Sequence, residues 1–280
     1  MSGIYLTSMH TRKRIDLSIV IVSYNCKDVL ADCLKAIYSD RKSETWEVIV
    51  VDSNSQDNPQ ELVKKFPRII FIPNSKNIGF SKANNLGVRY SRASYILFLN
   101  PDTIPPMGSI SQLLSFAQSE NMSNLGAVSP MLLNKDGSIQ PSCYHLPSII
   151  GAIKEFWLGK KGQYLKYYPD QDKPTKIDIA VGACILMPRL TYDLIGGWDE
   201  RYFIFFEDLE MGRQIKKKRL DFWYIPHARI VHLHGESTGK LPQISNSHLQ
   251  KSSKIYFGAV KYQVITLIIW LAQKIKIIFQ

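Results

Sequence analysis

The sequence predicts an α/β protein, with a mainly parallel open sheet flanked by helices and a C-terminal amphipathic helical tail. Three observations predict it. Short β-branched apolar runs alternate with helical patterns over the first hundred residues, and the runs end in Ser, Asn and Asp. The last segment mixes lysines with large apolar side chains and contains no acid.

Taken in order, Leu17–Val22, Val48–Val51, Ile69–Ile72 and Tyr95–Leu99 have the length and composition of buried parallel strands. Between the first two, Val29, Leu30, Cys33, Leu34, Ile37 and Tyr38 share one face of a helix over 28–39. Further helices are expected over 81–91 and 109–119, and this βαβ rhythm implies right-handed crossovers. The later half is less regular. Proline-bearing loops at 141–147 and 169–174 precede an expected strand over 179–187, and another strand is expected over 229–231. The 280 residues fit one large domain, with a single boundary near Ser245: a domain over 1–245 and a basic amphipathic helical segment over 246–280.

The formal net charge of +11 is unevenly spread, because no acid follows Glu236 while Lys240, Lys251, Lys254, Lys261, Lys274 and Lys276 all do. These lysines are interleaved with Tyr256, Phe257, Val260, Val264, Leu267, Trp270 and Leu271, a pattern that favours an anionic membrane surface over nucleic acid. The longest charge-free run there, 262–273, has 12 residues, short of the ~17–25 of a spanning helix. The same tail also suits a terminal helix packed on the domain's own core or on a second subunit of a homodimer. Residues 1–16 contain no apolar stretch of signal-peptide length. Cys26, Cys33, Cys143 and Cys184 have neither metal-site nor disulfide spacing, so a cytoplasmic location, peripheral at the membrane, is expected.

In an open parallel sheet, ligands bind outside the carboxyl ends of the strands. The first strand ends in Ser23-Tyr24-Asn25, the second in Asp52-Ser53-Asn54-Ser55 and the fourth in Asn100-Pro101-Asp102-Thr103. Any one of these reads equally as a turn, but three at one rim point to a site. No glycine-rich dinucleotide or P-loop motif follows the first strand, so a nucleotide must be held otherwise. Asp52 is placed to accept hydrogen bonds from a base or ribose. Asn77 and Gly79 enter the next helix where backbone can approach a phosphate, and that helix has Asn84 and Asn85 side by side, exposed by accident or kept for polar contacts. A strand-end carboxylate such as Asp102 can anchor Mg²⁺ or Mn²⁺ with a substrate diphosphate supplying further oxygens, or it can cap the next helix. Later acids sit beside aromatic residues, in Gly196-Gly197-Trp198-Asp199-Glu200 and in Phe205-Phe206-Glu207-Asp208. An aromatic wall can shape a sugar pocket and raise a carboxylate's pKa, which suits a general base, although acids that open a helix also serve its dipole. Trp198, Asp199 and Glu200 are candidates for acceptor contact. In the last cluster, 232–237, an imidazole such as that of His232 can bind the metal or a diphosphate.

The ordered series Val-Ser-Tyr-Asn at 22–25, Val-Val-Asp-Ser-Asn-Ser at 50–55, Asn-Ile-Gly-Phe-Ser-Lys-Ala-Asn-Asn-Leu-Gly at 77–87 and Leu-Asn-Pro-Asp at 99–102 resembles the family-2 inverting glycosyltransferases of GT-A fold. The later motifs Gly-Gly-Trp-Asp-Glu at 196–200, Phe-Glu-Asp-Leu-Glu-Met-Gly-Arg at 206–213 and Val-His at 231–232 are similar to its rhamnosyltransferase-like branch. The resemblance implies that Asp52 contacts the base with Ser23 and Asn25 nearby, and that Asp102 holds the metal position of a D-x-D motif whose first acid is here Asn100. It further implies that Asp208 is the catalytic base, where the residues alone leave Glu207 equally eligible, and that His232 is a metal or diphosphate ligand. The implied donor is a nucleotide-diphospho-sugar, dTDP-rhamnose. The implied acceptor is a saccharide or a polyprenyl-diphosphate-linked acceptor in cell-surface polysaccharide synthesis. A nucleotidyltransferase of the same fold and a catalytically silent nucleotide-sugar-binding protein are the rival readings. Neither has a use for the 207–208 and 232 clusters together.

Overall fold

The computed structural model describes residues 15–40, 45–119, 122–233 and 242–278. The strands are β1 Leu17–Ser23, β2 Trp46–Asp52, β3 Ile69–Pro73, β4 Tyr95–Leu99, β5 Thr103–Ile104, β6 Leu125–Leu133, β7 Cys143–Tyr144, β8 Thr175–Ile177, β9 Ile179–Ala180, β10 Cys184–Pro188 and β11 Asp221–His232. The helices are α1 Lys27–Ser39, α2 Pro59–Val63, α3 Phe80–Arg89, α4 Ser109–Ala117, α5 Ile149–Phe156, α6 Arg189–Ile195, α7 Glu207–Lys217, α8 Pro242–Phe257 and α9 Ala259–Ile278.

The main sheet runs β3-β2-β1-β4-β10-β6-β11-β5, with β8 on β11. The four strands expected from the sequence form its parallel half. β10 then enters antiparallel to both β4 and β6, and β11 is parallel to β6. Alternation along each strand feeds two cores. Leu17, Ile19 and Ile21 of β1 pack with Leu30, Leu34 and Ile37 of α1 and Leu113 of α4. Val20, on the opposite face, packs with Ala83 and Val88 of α3 and Met211 and Ile215 of α7.

Two expected strands differ in the structure. The run 179–187 is divided, because the chain changes partner in its middle: β9 pairs with β7 while β10 pairs with β4. Residues 181–183 turn between them, with Val181 N–H bonded to Ser142 O and Ala183 O bonded to Asn100 N–H. The run 229–231 is the end of the 12-residue β11, which continues through Pro226 because its register against β6 shifts between Ile225 and Arg229. A bulge of this kind removes the proline from the ladder.

The segment after 245 forms two helices, not one, bent by 120° where Gly258 takes φ +74°. α8 packs on the domain: Ser252 Oγ donates to Ile204 O at 2.9 Å, Tyr256 is buried, and the His248 and Phe203 rings stack at 4.6 Å. Among the described residues no single helix is long and apolar enough to cross a membrane.

Candidate active site

A cavity of about 370 Å³, within the ~300–1,000 Å³ usual for small-molecule sites, opens at the carboxyl ends of β1, β2 and β4. Tyr24, Asn77, Gly79, Asn100, Asp102, Glu207, Asp208 and His232 all line it, so the structure brings half of the expected residues together on its wall.

At the end of β2, Asp52 Oδ2 accepts from Ser55 N–H at 3.2 Å, while Asp52 Oδ1 and Ser53 Oγ are buried with no hydrogen-bond partner. Buried polar atoms in that state mark where a ligand's polar groups would be satisfied. Ser23, opposite Asp52 in the β1–β2 register, is buried, and Asn25, at φ +51°, has Oδ1 accepting from Gln56 N–H at 2.7 Å and so buttresses the loop. Gly79 is needed for another reason than phosphate approach. At φ +82° its missing Cβ would lie 2.7 Å from the Phe203 carbonyl, which accepts from Phe80 N–H at 2.7 Å. The opening of α3 is thereby tied to the loop before α7.

Strand pairing builds the next group. β5 runs antiparallel to the end of β11, with His232 opposite Thr103, and Leu233 N–H donates to Asp102 O at 2.9 Å. This puts His232 Nε2 3.4 Å from Asp102 Oδ1, both side chains being buried. Gln140 orients the ring: its Nε2 faces two acceptors, Asn134 Oδ1 at 2.9 Å and His232 O at 3.5 Å, so its Oε1 is what meets His232 Nδ1 at 2.8 Å. Nδ1 therefore donates to Gln140, and Nε2 is the ring nitrogen turned toward Asp102. Two ligands in adjacent positions on an octahedral ion with ~2.1 Å bonds lie ~3 Å apart, so this pair fits a divalent cation. No cluster of three or more His, Cys, Asp or Glu suited to a metal occurs among the described residues, and diphosphate oxygens and water can serve as further ligands of a divalent cation.

The catalytic candidates open α7 on the far wall. Two consecutive non-glycine residues in the left-handed region, Phe205 (φ +69°) and Phe206 (φ +67°), turn the chain into that helix. Tyr256 and Phe257 of α8 hold Phe206 in place by ring contacts at 5.5 and 5.7 Å. Asp208 accepts from Leu209 N–H at 2.8 Å and Gly182 N–H at 3.3 Å and is the more exposed of the two acids. Glu207 Oε2 is buried without a partner. Burial, then the neighbouring Asp208 charge, raises the Glu207 pKa well above the usual carboxylate range. Burial also raises that of Asp208, opposed by its two backbone N–H donors and the Lys166 charge. The proton of the pair therefore rests on Glu207 and the negative charge on Asp208.

The other expected residues do not line the cavity, Ser23, Asn25 and Asp52 among them. Asn85 does not line it: Nδ2 donates to Trp198 O at 2.8 Å and Glu200 Oε1 at 3.0 Å, while Oδ1 accepts from Tyr192 Oη at 2.6 Å and Trp198 N–H at 3.0 Å, which uses its full capacity. Asn84 is buried and bonded to Phe80 O at 3.1 Å. Trp198 is a core residue packed edge-on against Phe80 and Phe98, and Asp199 pairs with Arg201. With Glu200 these two line a separate pocket, which Asn85 also lines. His234 and residues 235–237 lie outside the described residues. The cavity also recruits residues whose patterns carry no sequence signal, including Tyr144, Lys166, Phe203 and Leu249.

The model of the family described as Glycosyl transferase family 2 matches residues 18–190. The chain is similar to the N-acetylglucosaminyl-diphospho-decaprenol L-rhamnosyltransferase of Mycobacterium tuberculosis, at 29% identity over 230 residues, covering 75% of this chain and 74% of that one. It is similar to the dTDP-rhamnosyl transferase RfbF of Shigella flexneri, at 24% identity over 225 residues, covering 79% and 70%. Its fold is similar to that of GalNAc-T7, solved with UDP, GalNAc and Mn²⁺, with a TM-score of 0.64 at 13% identity, covering 90% of this chain and 49% of that one.

Proposed function

The chain belongs to glycosyl transferase family 2 and has the GT-A fold, and from that premise we propose that it transfers rhamnose, with inversion, from dTDP-rhamnose to a saccharide or polyprenyl-diphosphate-linked acceptor. The work would take place at the cytoplasmic face of a membrane, in cell-surface polysaccharide synthesis. The rhamnosyl donor is supported by the names of the two relatives, one of which acts on a lipid diphosphate.

The observation that carries the reading is the sharing of one cavity by the Asp102–His232 pair and the Asp208 carboxylate. In the proposed reaction Asp52 and Ser53 take the nucleoside, and the diphosphate lies toward Asp102 and His232. Asp208 accepts the proton of an acceptor hydroxyl as its oxygen attacks the anomeric carbon. The nucleoside diphosphate leaves from the opposite face, so a single displacement inverts the centre and one base suffices. Asp102 and His232 would hold Mg²⁺ or Mn²⁺, which when bound offsets the charge that develops on the leaving diphosphate. Gln140 keeps His232 Nε2 directed there.

A panel of nucleotide sugars titrated with Mn²⁺ present tests the donor. Tightest binding of dTDP-rhamnose is expected, and equal binding of an unrelated sugar on another nucleotide would reject that donor. Asp102→Ala should lose Mn²⁺-dependent donor binding while keeping affinity for the free nucleoside.

A further inference from the structure

α5 and α9 pack against each other, and Trp157, just after α5, donates through Nε1 to Ile268 O at 3.0 Å. α9 is apolar on two sides. Ile265 and Ala272 are buried, whereas Val260, Val264, Leu267, Leu271 and Ile275 repeat at helical spacing as an exposed stripe. α5, whose first turn is capped by Ser148 Oγ accepting from Gly151 N–H at 3.0 Å, likewise exposes Ile150 (66%), Ile153, Trp157 (46%) and Leu158 (62%). Trp157, half-exposed at the seam, joins the two stripes into a patch of a kind that marks an interaction site.

Charge selects the partner. Lys160 and Lys161 follow α5, and Lys251, Lys254, Lys261 and Lys274 accompany the other helices, with no acid over 246–278. Glu155, the one acid of α5, is occupied, accepting from Gln163 N–H at 2.7 Å and Tyr164 N–H at 3.0 Å. Two copies brought face to face would oppose like charges, whereas an anionic bilayer complements an apolar face on helices that carry or adjoin these lysines.

We propose that α5 and α9 together form one binding surface for anionic lipid, with α5 as an active half of it. Through Glu155, α5 also fixes Tyr164 and Leu165, which with Lys166 wall the catalytic cavity. Docking of α5 therefore sets that wall beside the headgroups, where an acceptor held by a lipid diphosphate would present its sugar. This last step rests on the acceptor proposed above, while the surface itself does not.

The test uses the full-length protein with two α5-side variants, Ile150→Ser/Leu158→Ser and Lys160→Glu/Lys161→Glu, both at exposed positions outside the cavity. Co-sedimentation is measured with vesicles of phosphatidylglycerol and phosphatidylcholine, and with phosphatidylcholine alone. Wild type is expected to bind the anionic vesicles only, and each variant to bind them at least about tenfold more weakly, with unchanged melting and unchanged transfer to a soluble acceptor. Wild-type affinity in both variants would overturn the role of α5. Absence of wild-type vesicle binding, with a dimer in solution that the variants dissolve, would give the patch to a second copy. Vesicle binding needs no turnover, so failure here is distinguishable from failure of the glycosyltransferase assignment.

Discussion

Glu207 and Asp208 are adjacent in sequence, yet their surroundings separate them. Two backbone N–H groups and Lys166 favour the charge on Asp208, and nothing bonds Glu207 Oε2. Because the Asp208 pKa is raised, the acid limb of kcat should lie above the ordinary aspartate value of ~3.9. Lys166→Met removes a charge that holds it down, so the limb should move to higher pH, and a limb that stays in place would make Lys166 merely structural. Glu207 gives a stability prediction of definite sign. Its folded pKa exceeds the unfolded value of ~4.3, so the folded state binds more protons and stability falls as pH rises from that value through the folded one. Glu207→Gln should therefore raise Tm relative to wild type at alkaline pH and lose that advantage in acid, as parallel melting curves would show. Gln140→Leu should weaken Mn²⁺ binding by about 10- to 100-fold in titration calorimetry, because the His232 ring loses its orienting partner. Unchanged affinity would remove Gln140 from that role.

At the scale of elements, the loop before α7 is held from two sides, by the opening of α3 and by α8. Gly79→Ala would drive a Cβ into the Phe203 carbonyl at a backbone angle that alanine disfavours, so a loss of ~1–3 kcal/mol in denaturant unfolding is expected. The parallel half of the sheet was legible in the sequence because β1 to β4 are uninterrupted β-branched runs with their polar ends at one rim. β6 was not, although it lies centrally, because Pro130 and Gly126 break its pattern and its pairing depends on distant chain. The site follows the same division. Asp102, His232 and Asp208 stand in local motifs, whereas Lys166 reaches the cavity and Gln140 the His232 ring only through tertiary packing, with no periodicity to reveal them. Asn85 and Trp198 were legible as special residues but not in their role, since hydrogen bonds to their own fold satisfy Asn85 and the core encloses Trp198.

At the scale of the molecule, α8 and α9 divide what the sequence presents as one tail. Leu249 lines the cavity and Tyr256 supports Phe206, whereas α9 lies beyond Gly258 against α5. Truncation after 258 is expected to leave a folded, soluble-acceptor-active enzyme, while truncation after 245 should abolish cooperative unfolding and activity together; equal behaviour of the two in melting and transfer assays would contradict this division. In the proposed reaction one cavity takes the donor beside Ser53, Asp102 and His232 and activates the acceptor at Asp208. This is tested most directly by single-turnover transfer at saturating donor and acceptor in Asp208→Asn and Glu207→Gln, with donor affinity measured alongside. Asp208→Asn is expected to bind donor as wild type does and to transfer ~10²–10⁴-fold more slowly, with Glu207→Gln much less affected. Near-normal transfer by Asp208→Asn, with Glu207→Gln inactive, would contradict this.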